Sequence, residues 1–400
     1  MPSQARDAAI VGIYEYPLRK VEGLSPLQIK SECAIRALED AGLTWKDVDA
    51  VYESGEGGGV LSGIPSTPEY FGVTANVVDT TMVGGASFEF QAAHAKRAIA
   101  AGRAKVALLT YGSLLRSEGA ALGTAGRSYA QGPTHPVSNM EELWGLTLAG
   151  DYALVAQRHM HQYGTTSEQL AEISVATRHH ATRNPQAVQA MTDLAFKSTG
   201  EITIEDVIAS RTIADPLHML ECCMISDGGG AVVIASADVA SGCRQTPVWL
   251  LGSGEALKSP ENGGDITVTA AAQSGPSAFG EAGVRPGEID VATLYDSFTI
   301  TVLTVLEDLG FCKKGDGGSF VQGGRLRFDS SAEPALNTDG GGLSSNHPGM
   351  RGIFLLIEAA RQLRGQSTSQ VEGARLAVAS GLGGRLGGRH SAGTVVLARD

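Results

Sequence analysis

Short apolar stretches alternate with amphipathic stretches along the whole chain. Residues 8–13 are apolar enough for a buried strand, and residues 26–41 have the three-to-four-residue apolar spacing of a helix, with Ser25 placed to cap it. Gly42 suits the left-handed conformation that ends many helices, and residues 47–52 predict the next strand. Strands that alternate with helices at this spacing predict parallel βαβ units and therefore an α/β fold.

The same order of elements occurs again in the second half of the chain. A strand at 248–251, a helix running to about residue 281 and a strand at 288–295 match the first three elements in order and in turn chemistry. The helices predicted at 85–102 and 349–365 also correspond, because each ends in glycine and precedes a strand. The sequence therefore predicts an internal duplication, with these two helices buried between two mostly parallel sheets.

The duplication also predicts where the chain divides. We expect a first half at residues 1–245 and a second half at 246–400. Residues 113–211 have no counterpart in the second half, and two helices are predicted inside them, at 147–163 and 167–184. We interpret 113–211 as a loop domain that covers one end of the sheets.

Net charge and cysteine content exclude some classes of function and indicate a cellular compartment. The 400 residues carry a net charge of −12, which argues against a general nucleic-acid binder because phosphate backbones need a basic face. The five cysteines lack paired zinc spacing, so we expect reduced structural thiols, no metal site and a cytoplasmic protein. The vicinal Cys222 and Cys223 are expected to pack rather than to react. No run of about eighteen apolar residues occurs, so no membrane span is predicted.

Several local motifs point to one family. Ser226-Asp227-Gly228-Gly229-Gly230-Ala231 forms an aspartate-glycine turn, residues 337–342 are glycine-rich, and Asn346-His347-Pro348-Gly349 follows them. Residues 167–185 form a further motif, a helix predicted within the loop domain at 113–211. With the duplication, these motifs make the chain resemble the thiolase superfamily, closest to its sterol-carrier type, over essentially its whole length. The resemblance implies a thiolase fold: five αβαβα layers from two duplicated halves, with the loop domain inserted in the first.

The chain departs from that family at its nucleophile. Thiolases form an acyl-enzyme on a cysteine at the N-terminus of the first central helix, where helix amides lower a thiol pKa. That position matches Gly85 here, and Ser87 is the only hydroxyl nearby. The family's second cysteine falls near Ala379 and Ser380 and is also absent. These departures argue against a double-displacement thiolase mechanism.

At two other positions of the family's active site, this chain has side chains that can donate or transfer a proton. The resemblance gives His347 a hydrogen bond to the thioester oxygen as that oxygen gains charge. Tyr295 stands where ordinary thiolases have an asparagine and the sterol-carrier type a histidine, and a tyrosine can donate or relay a proton. Its neighbour Asp296 is expected to cap a helix. The residues expected to line the oxyanion and substrate pocket with this pair are Gly85, Ser87, Ser344, Ser345 and Asn346.

The retained groups fit retro-aldol cleavage of a β-hydroxyacyl-CoA. The chain looks most like the thiolase-like aldolases of bacterial steroid side-chain degradation, which release propionyl-CoA and a ketosteroid. We expect glycine at position 85 to open space for a substrate branched at its β-carbon. The resemblance implies coenzyme A as part of the substrate with no permanently bound cofactor, a homodimer, and a small zinc-ribbon/OB-fold partner protein. The dimer edge is expected at strand 77–81 or strand 105–110, of which 77–81 has strong β composition.

Two other functional classes stay open. One is an acyltransferase or Claisen thiolase that uses an unconventional nucleophile such as Ser87, and the other is a non-catalytic subunit that binds acyl-CoA. The sequence does not identify the residues that hold the CoA phosphates. Arginines of the loop domain are the candidates: Arg116, Arg127, Arg178 and Arg183.

Overall fold

The first half of the chain builds a five-stranded mixed sheet. The computed structural model describes residues 6–54, 66–119, 147–259 and 264–400. The order across this sheet is β3-β2-β4-β7-β1, in which β7 alone runs antiparallel to its neighbours. The strands are β1 (Ala8–Glu15), β2 (Ala50–Glu53), β3 (Val77–Asp79), β4 (Val106–Ser113) and β7 (Gly228–Ser236).

The second half repeats this arrangement in the order β10-β9-β11-β12-β8. Here β12 is the strand that runs antiparallel to its neighbours, as β7 does in the first half. The strands are β8 (Val248–Lys258), β9 (Val291–Leu294), β10 (Ala335–Leu336), β11 (Leu376–Gly384) and β12 (His390–Ala398). A small hairpin of β5 (Thr212–Ala214) and β6 (Leu217–His218) stands apart.

The two half-sheets are joined, whereas the sequence predicted two separate sheets. Strand β1 pairs with β8 through Ala9–Trp249 and Ile10–Val248, which makes one continuous ten-stranded order. This short ladder pairs backbone groups that would otherwise remain free along two strand edges.

The helices lie in layers around and between the half-sheets. The outer helix of the first half packs on β1, β4 and β7, that of the second half packs on β8 and β12, and the two central helices contact strands of both halves. The helices are α1 (Pro26–Ala41), α2 (Ser66–Phe71), α3 (Ser87–Ala100), α4 (Leu148–Tyr163), α5 (Ser167–Ala181), α6 (Pro185–Asp193), α7 (Ile204–Ile208), α8 (Ala237–Ala240), α9 (Ala271–Ala282), α10 (Thr299–Asp308), α11 (Gly317–Phe320), α12 (Gly341–Ser344) and α13 (Gly352–Arg364). Helices α3 and α13 are largely buried, as the duplication predicts.

Several predicted boundaries were wrong in informative ways. Helix α3 starts at Ser87, two residues late, because Gly84 takes a left-handed conformation with a φ of 69°. The helix predicted at 167–184 ends at Ala181, and Asn184 then caps a separate helix that has Pro185 in its first turn. In the second half, β8 extends to Lys258 and α9 begins only at Ala271.

Of the two alternatives predicted for the sheet edge, the structure has one at the edge and the other in the interior. Strand β3 lies at the end of the sheet, as predicted for 77–81. Strand β4 pairs with β2 on one side and with β7 on the other, so the edge predicted at 105–110 was wrong. A fully buried pattern over most of β4 fits an interior strand better than an edge.

Candidate functional site

Tyr295 and His347, the two predicted reactive residues, meet in the structure. Tyr295 directly follows β9, and its amide donates to the Ser380 carbonyl at 3.0 Å. Its hydroxyl oxygen lies 3.1 Å from His347 Nε2 and 3.4 Å from the Gly349 carbonyl oxygen. The two rings meet edge to face with centroids 5.5 Å apart. Only 5% of Tyr295 and 8% of His347 is exposed, so both residues are almost completely shielded from solvent.

The backbone around His347 is held by groups from the first half. The His347 amide donates to Ser226 Oγ at 3.0 Å, and the Ser226 amide donates back to the His347 carbonyl. Ser226 belongs to the aspartate-glycine turn, whose Asp227 accepts from the Val21 amide at 2.8 Å. This turn of the first half therefore fixes the histidine of the second half.

Tyr111 completes this support, although no sequence motif pointed to it. Its hydroxyl donates to the Pro348 carbonyl and accepts from the Met350 amide at 3.1 Å. The residue lies on β4 among other buried residues, so no pattern distinguished it from ordinary core. Together with Ser226, it anchors the histidine segment on both sides.

Gly85 is where the site differs most from our expectation. A β-carbon at Gly85 would lie 2.2 Å and 2.4 Å from two ring carbons of Tyr295 and 2.5 Å from the Leu382 carbonyl oxygen. The Tyr295 ring therefore fills the space beside Gly85, and the expected opening for a branched substrate at this position was wrong. A side chain at position 85 and the tyrosine ring are alternative occupants of one space.

Ser87 has the bonding of a local turn residue. Its hydroxyl donates to the Gly84 carbonyl at 2.6 Å and accepts from the Val83 amide at 2.9 Å, and the residue is fully buried. A serine nucleophile needs a base within hydrogen-bond reach. The hydrogen bonds that the structure gives this hydroxyl go instead to its own turn and, at 3.9 Å, to the Met82 sulfur.

The residues just before His347 belong to a buried network rather than to a pocket surface. Arg351 lies 2.6 Å from Asp339 Oδ2 and 3.2 Å from Asp296 Oδ1, and it donates to the Asn346 carbonyl at 3.1 Å. The side-chain nitrogen Nδ2 of Asn346 donates to Glu15 Oε1. Asp296 also accepts from the first amides of α12, which confirms its predicted capping role.

Ser344 and Ser345 share this structural role. The Ser344 hydroxyl accepts from Arg178 Nε at 3.0 Å, and the Ser345 carbonyl accepts from Arg19. Both serines are buried, and the Ser345 hydroxyl has no hydrogen-bond partner among the described residues. We had expected Ser344, Ser345 and Asn346 to line the substrate pocket. In the structure, Ser344, Asn346 and the Ser345 backbone instead make hydrogen bonds that hold the segment before His347 in place.

Burial sets the protonation states of Tyr295 and His347. It raises the pKa of Tyr295 well above its usual 10, with Cys223 and two neighbouring tyrosines adding to the effect. Burial, helped by the positive charge of Arg351, lowers the pKa of His347 to about 4. At neutral pH the site therefore holds a phenol beside an uncharged imidazole.

Cys223 lies near Tyr295 and has to be considered as a nucleophile. Burial, with the charge of Asp296, raises the pKa of this thiol to about 12. Because the thiolate is the reactive form, the thiol is inert at neutral pH. Among the described residues, all five cysteines are free, in accord with the structural role expected for them.

Two of the four arginine candidates for the CoA phosphates, Arg178 and Arg183, bind other groups of the protein. Arg178 is 2% exposed, donates to Ser344 and lies over the Phe196 ring at 5.5 Å, which takes it away from any solvent-borne phosphate. Arg183 donates to the His179 carbonyl at 2.7 Å and lies over Phe328. Arg116 is exposed, and Arg127 lies outside the described residues.

The described residues contain neither a metal-binding cluster nor a membrane-spanning helix. Across residues 6–54, 66–119, 147–259 and 264–400, no group of three or more His, Cys, Asp or Glu side chains is arranged to hold a metal ion. Within the same ranges, no helix is long and apolar enough to cross a membrane.

Comparison with known proteins agrees with the motifs. Residues 252–399 match the family described as Thiolase C-terminal domain-like. An acetyl-CoA acetyltransferase of Methanothermobacter thermautotrophicus is 32% identical over 95% of this chain and 97% of its own length. A steroid side-chain-cleaving aldolase of Thermomonospora curvata is also 32% identical, over 91% of this chain and 92% of its own.

A third relative and a solved structure extend this picture. A 17-hydroxy-3-oxo-4-pregnene-20-carboxyl-CoA lyase of Mycobacterium tuberculosis is 32% identical over 92% of this chain and 94% of its own. The structure of the Ltp2-ChsH2(DUF35) aldolase superposes with a TM-score of 0.85 at 29% identity and covers 99% of both chains. Relatives of this similarity over nearly the full length, together with the duplicated fold, show that the chain belongs to the thiolase superfamily.

Proposed function

We propose that this chain catalyses retro-aldol cleavage of a β-hydroxyacyl-CoA, with a 17-hydroxylated steroid side chain as the acyl group. The products are a ketosteroid and propionyl-CoA. The relatives include both an acetyltransferase and aldolases at equal identity, so identity does not choose between these activities. The observation that carries the proposal is the Tyr295 ring, which fills the space beside Gly85 and hydrogen-bonds to His347.

The Tyr295–His347 pair is suited to move one proton. The β-hydroxyl proton passes to the Tyr295 oxygen while the Tyr295 proton moves to His347 Nε2, 3.1 Å away. The O–H electron pair forms the ketone, the Cα–Cβ bond breaks, and its electron pair becomes the thioester enolate. The proton then returns through Tyr295 to Cα, so the enzyme ends in its starting protonation state.

The protonation states at rest support these roles. The uncharged His347 is able to accept a proton, and the burial that lowers its pKa to about 4 makes the imidazolium a strong acid that gives the proton back. While it lasts, the imidazolium stabilises the enolate charge, in addition to the hydrogen bond to the thioester oxygen that the resemblance gives His347. Tyr295 keeps its proton at rest because its pKa is raised, so it acts first as a relay.

The test measures both products with the chain and a small zinc-ribbon/OB-fold partner mixed at defined ratios. We expect equal moles of ketosteroid and propionyl-CoA. Tyr295→Phe should lower turnover by about 10²–10⁴ and His347→Ala by about 10²–10³, typical of lost acid–base help and lost oxyanion stabilisation. Tyr163→Phe removes a hydroxyl outside the site and is the matched control.

Two other outcomes would replace the proposal. Loss of activity in Ser87→Ala, with a trappable acyl group on Ser87 and an active Tyr295→Phe variant, would indicate a serine acyltransferase. Acyl-CoA binding without turnover at any partner ratio would indicate a non-catalytic subunit. The bonding of Ser87 within its own turn argues against the first of these.

The assembly and the setting complete the proposal. A small partner protein is supported by the two-component name of the Ltp2-ChsH2(DUF35) aldolase. Coenzyme A enters as part of the substrate, with no permanently bound cofactor. The division into residues 1–245 and 246–400, with 113–211 as a loop domain, stays a prediction. The cytoplasm fits the free cysteines.

A homodimer through the β3 edge is supported by exposed apolar residues there. Val78 on β3 is 44% exposed and the nearby Met82 is 42% exposed, which suits an edge that pairs with a second copy. Val78→Glu should produce monomers in light scattering at micromolar concentration. Leu154→Glu, at an exposed apolar position on α4, is the control that should stay dimeric. A wild-type monomer would contradict the homodimer.

A further inference from the structure

Glu89 is a buried carboxyl for which the mechanism above has no use. It lies in the first turn of α3, four residues after Gly85, and is 1% exposed. Both of its carboxyl oxygens are buried, and neither has a hydrogen-bond partner among the described residues. An ionised carboxyl in such a place is strongly disfavoured, so its protonation state and its purpose both need an explanation.

The space around this carboxyl is made by three glycines from three different elements. A β-carbon at Gly381 on β11 would lie 2.1 Å from Glu89 Oε2, and one at Gly352 on α13 would lie 2.5 Å from the same oxygen. A β-carbon at Gly393 on β12 would lie 2.7 Å from the Glu89 β-carbon. Three elements thus each have a glycine at the point where a side chain would collide with Glu89.

The carboxyl lies beside the peptide of Gly85. The same β-carbon built at Gly352 would be 2.3 Å from the Gly85 carbonyl oxygen and 2.5 Å from Glu89 Oε2, so the two oxygens are no further apart than these two distances together. The Gly352 amide donates to the Gly85 carbonyl at 3.1 Å. The α-carbon of Gly85 in turn packs against the Tyr295 ring. A negative charge on Glu89 would repel the Gly85 oxygen and disturb the turn that supports the tyrosine.

No charged group on the surrounding elements stabilises an ionised Glu89 carboxylate. Burial raises the pKa of Glu89 to about 8, and no charged neighbour is among its causes. Strands β7 and β11 carry no titratable side chain. The other titratable groups on α3 and on the elements packed against it are His94, Lys96 and Arg97 on α3, Arg351 just before α13, Glu358, Arg361 and Arg364 on α13, His390 on β12, Glu255 and Lys258 on β8, Tyr111 on β4, and Tyr14 and Glu15 on β1.

We propose that Glu89 is held as a neutral carboxylic acid and is a positioning residue, which supports the Gly85 turn and so keeps Tyr295 aligned with His347. Ionisation of Glu89 places a charge beside the Gly85 carbonyl and misaligns the pair. The catalytic part of this inference rests on the proposed function.

The first test is the pH dependence of kcat between pH 6 and 9.5. Wild-type kcat should fall at least about tenfold on the alkaline side, with a midpoint near the Glu89 pKa of about 8. Glu89→Gln should keep kcat within about threefold of wild type at pH 6.5 and lose the alkaline fall. Glu358→Gln is the matched control, because burial also raises the pKa of Glu358, to about 7, although it lies further along α13. An unchanged alkaline fall in Glu89→Gln would overturn the proposal.

The second test needs no substrate and measures the urea midpoint against pH. A folded-state pKa of about 8, above the usual 4.5, means that the native state holds a proton the unfolded state has lost. Wild-type stability should therefore fall between about pH 4.5 and about pH 8 and then level off, relative to Glu89→Gln or, if that variant does not fold, Glu89→Met. Equal pH dependence would overturn the neutral acid. If no turnover is found, the catalytic part falls with the proposed function, and this slope still decides the protonation state.

Discussion

The shared space of Gly85 and Tyr295 can be tested with the substitution Gly85→Ala. The added β-carbon would lie 2.2 Å and 2.4 Å from ring carbons, which is more than 1 Å inside ordinary van der Waals contact. Overpacking typically costs about 1–3 kcal/mol, and contacts with a ring and a backbone oxygen put this case at about 3 kcal/mol. Gly85 is not in the left-handed region, so backbone strain does not confuse the result.

A double-mutant cycle isolates the clash with the ring. In a Tyr295→Ala background, Gly85→Ala should cost only about 1 kcal/mol, since the Leu382 carbonyl at 2.5 Å remains in the way. The coupling energy is then about 2 kcal/mol, measured by urea unfolding of the four proteins. Gly280→Ala is the control, because a β-carbon there meets nothing within 4 Å. A Gly85→Ala protein as stable as wild type, or no coupling with Tyr295, would refute the shared space.

Three further predictions concern charge and nucleophiles. The side chains of Asp79 and Glu255 raise the pKa of His94 to about 9. His94 should therefore contribute about 1 kcal/mol of stability below about pH 6.5, and this contribution should be lost as the pH rises through about 9. Urea unfolding of wild type and His94→Gln measures the difference. Arg351→Met should lower the free energy of unfolding by about 3–5 kcal/mol, because it leaves buried carboxylates unpaired; a change under about 1 kcal/mol would contradict the network. Cys223→Ser should keep turnover within about threefold, and loss of activity would reopen a thiol mechanism.

The sequence predicted the elements of the site better than their packing. Tyr295 and His347 could be paired because one ends a predicted strand and the other belongs to a motif, and both features are local. The overlap of Gly85 with the Tyr295 ring was not predictable, since no spacing rule relates residues that distant along the chain. The direction of Asn346 was missed for the same reason, because its partners Glu15 and Arg351 are set by tertiary contacts.

The fold was predicted to a similar depth. Periodicity located both central helices, but their first residues were misplaced because glycine turns precede each of them. The ladder between β1 and β8 was missed, since an apolar strand pattern does not say which strand becomes its neighbour.

The place of β1 has a consequence for the order in which the chain folds during synthesis. Residues Ala8–Glu15 leave the ribosome well before their partners, which are Gly228–Ser236 and the start of β8. At about 5–20 residues per second, about 10–40 s pass before those partners exist. For that interval the first strand has no partner in its own sheet. The nascent chain is therefore expected to need protection by chaperones until β7 emerges.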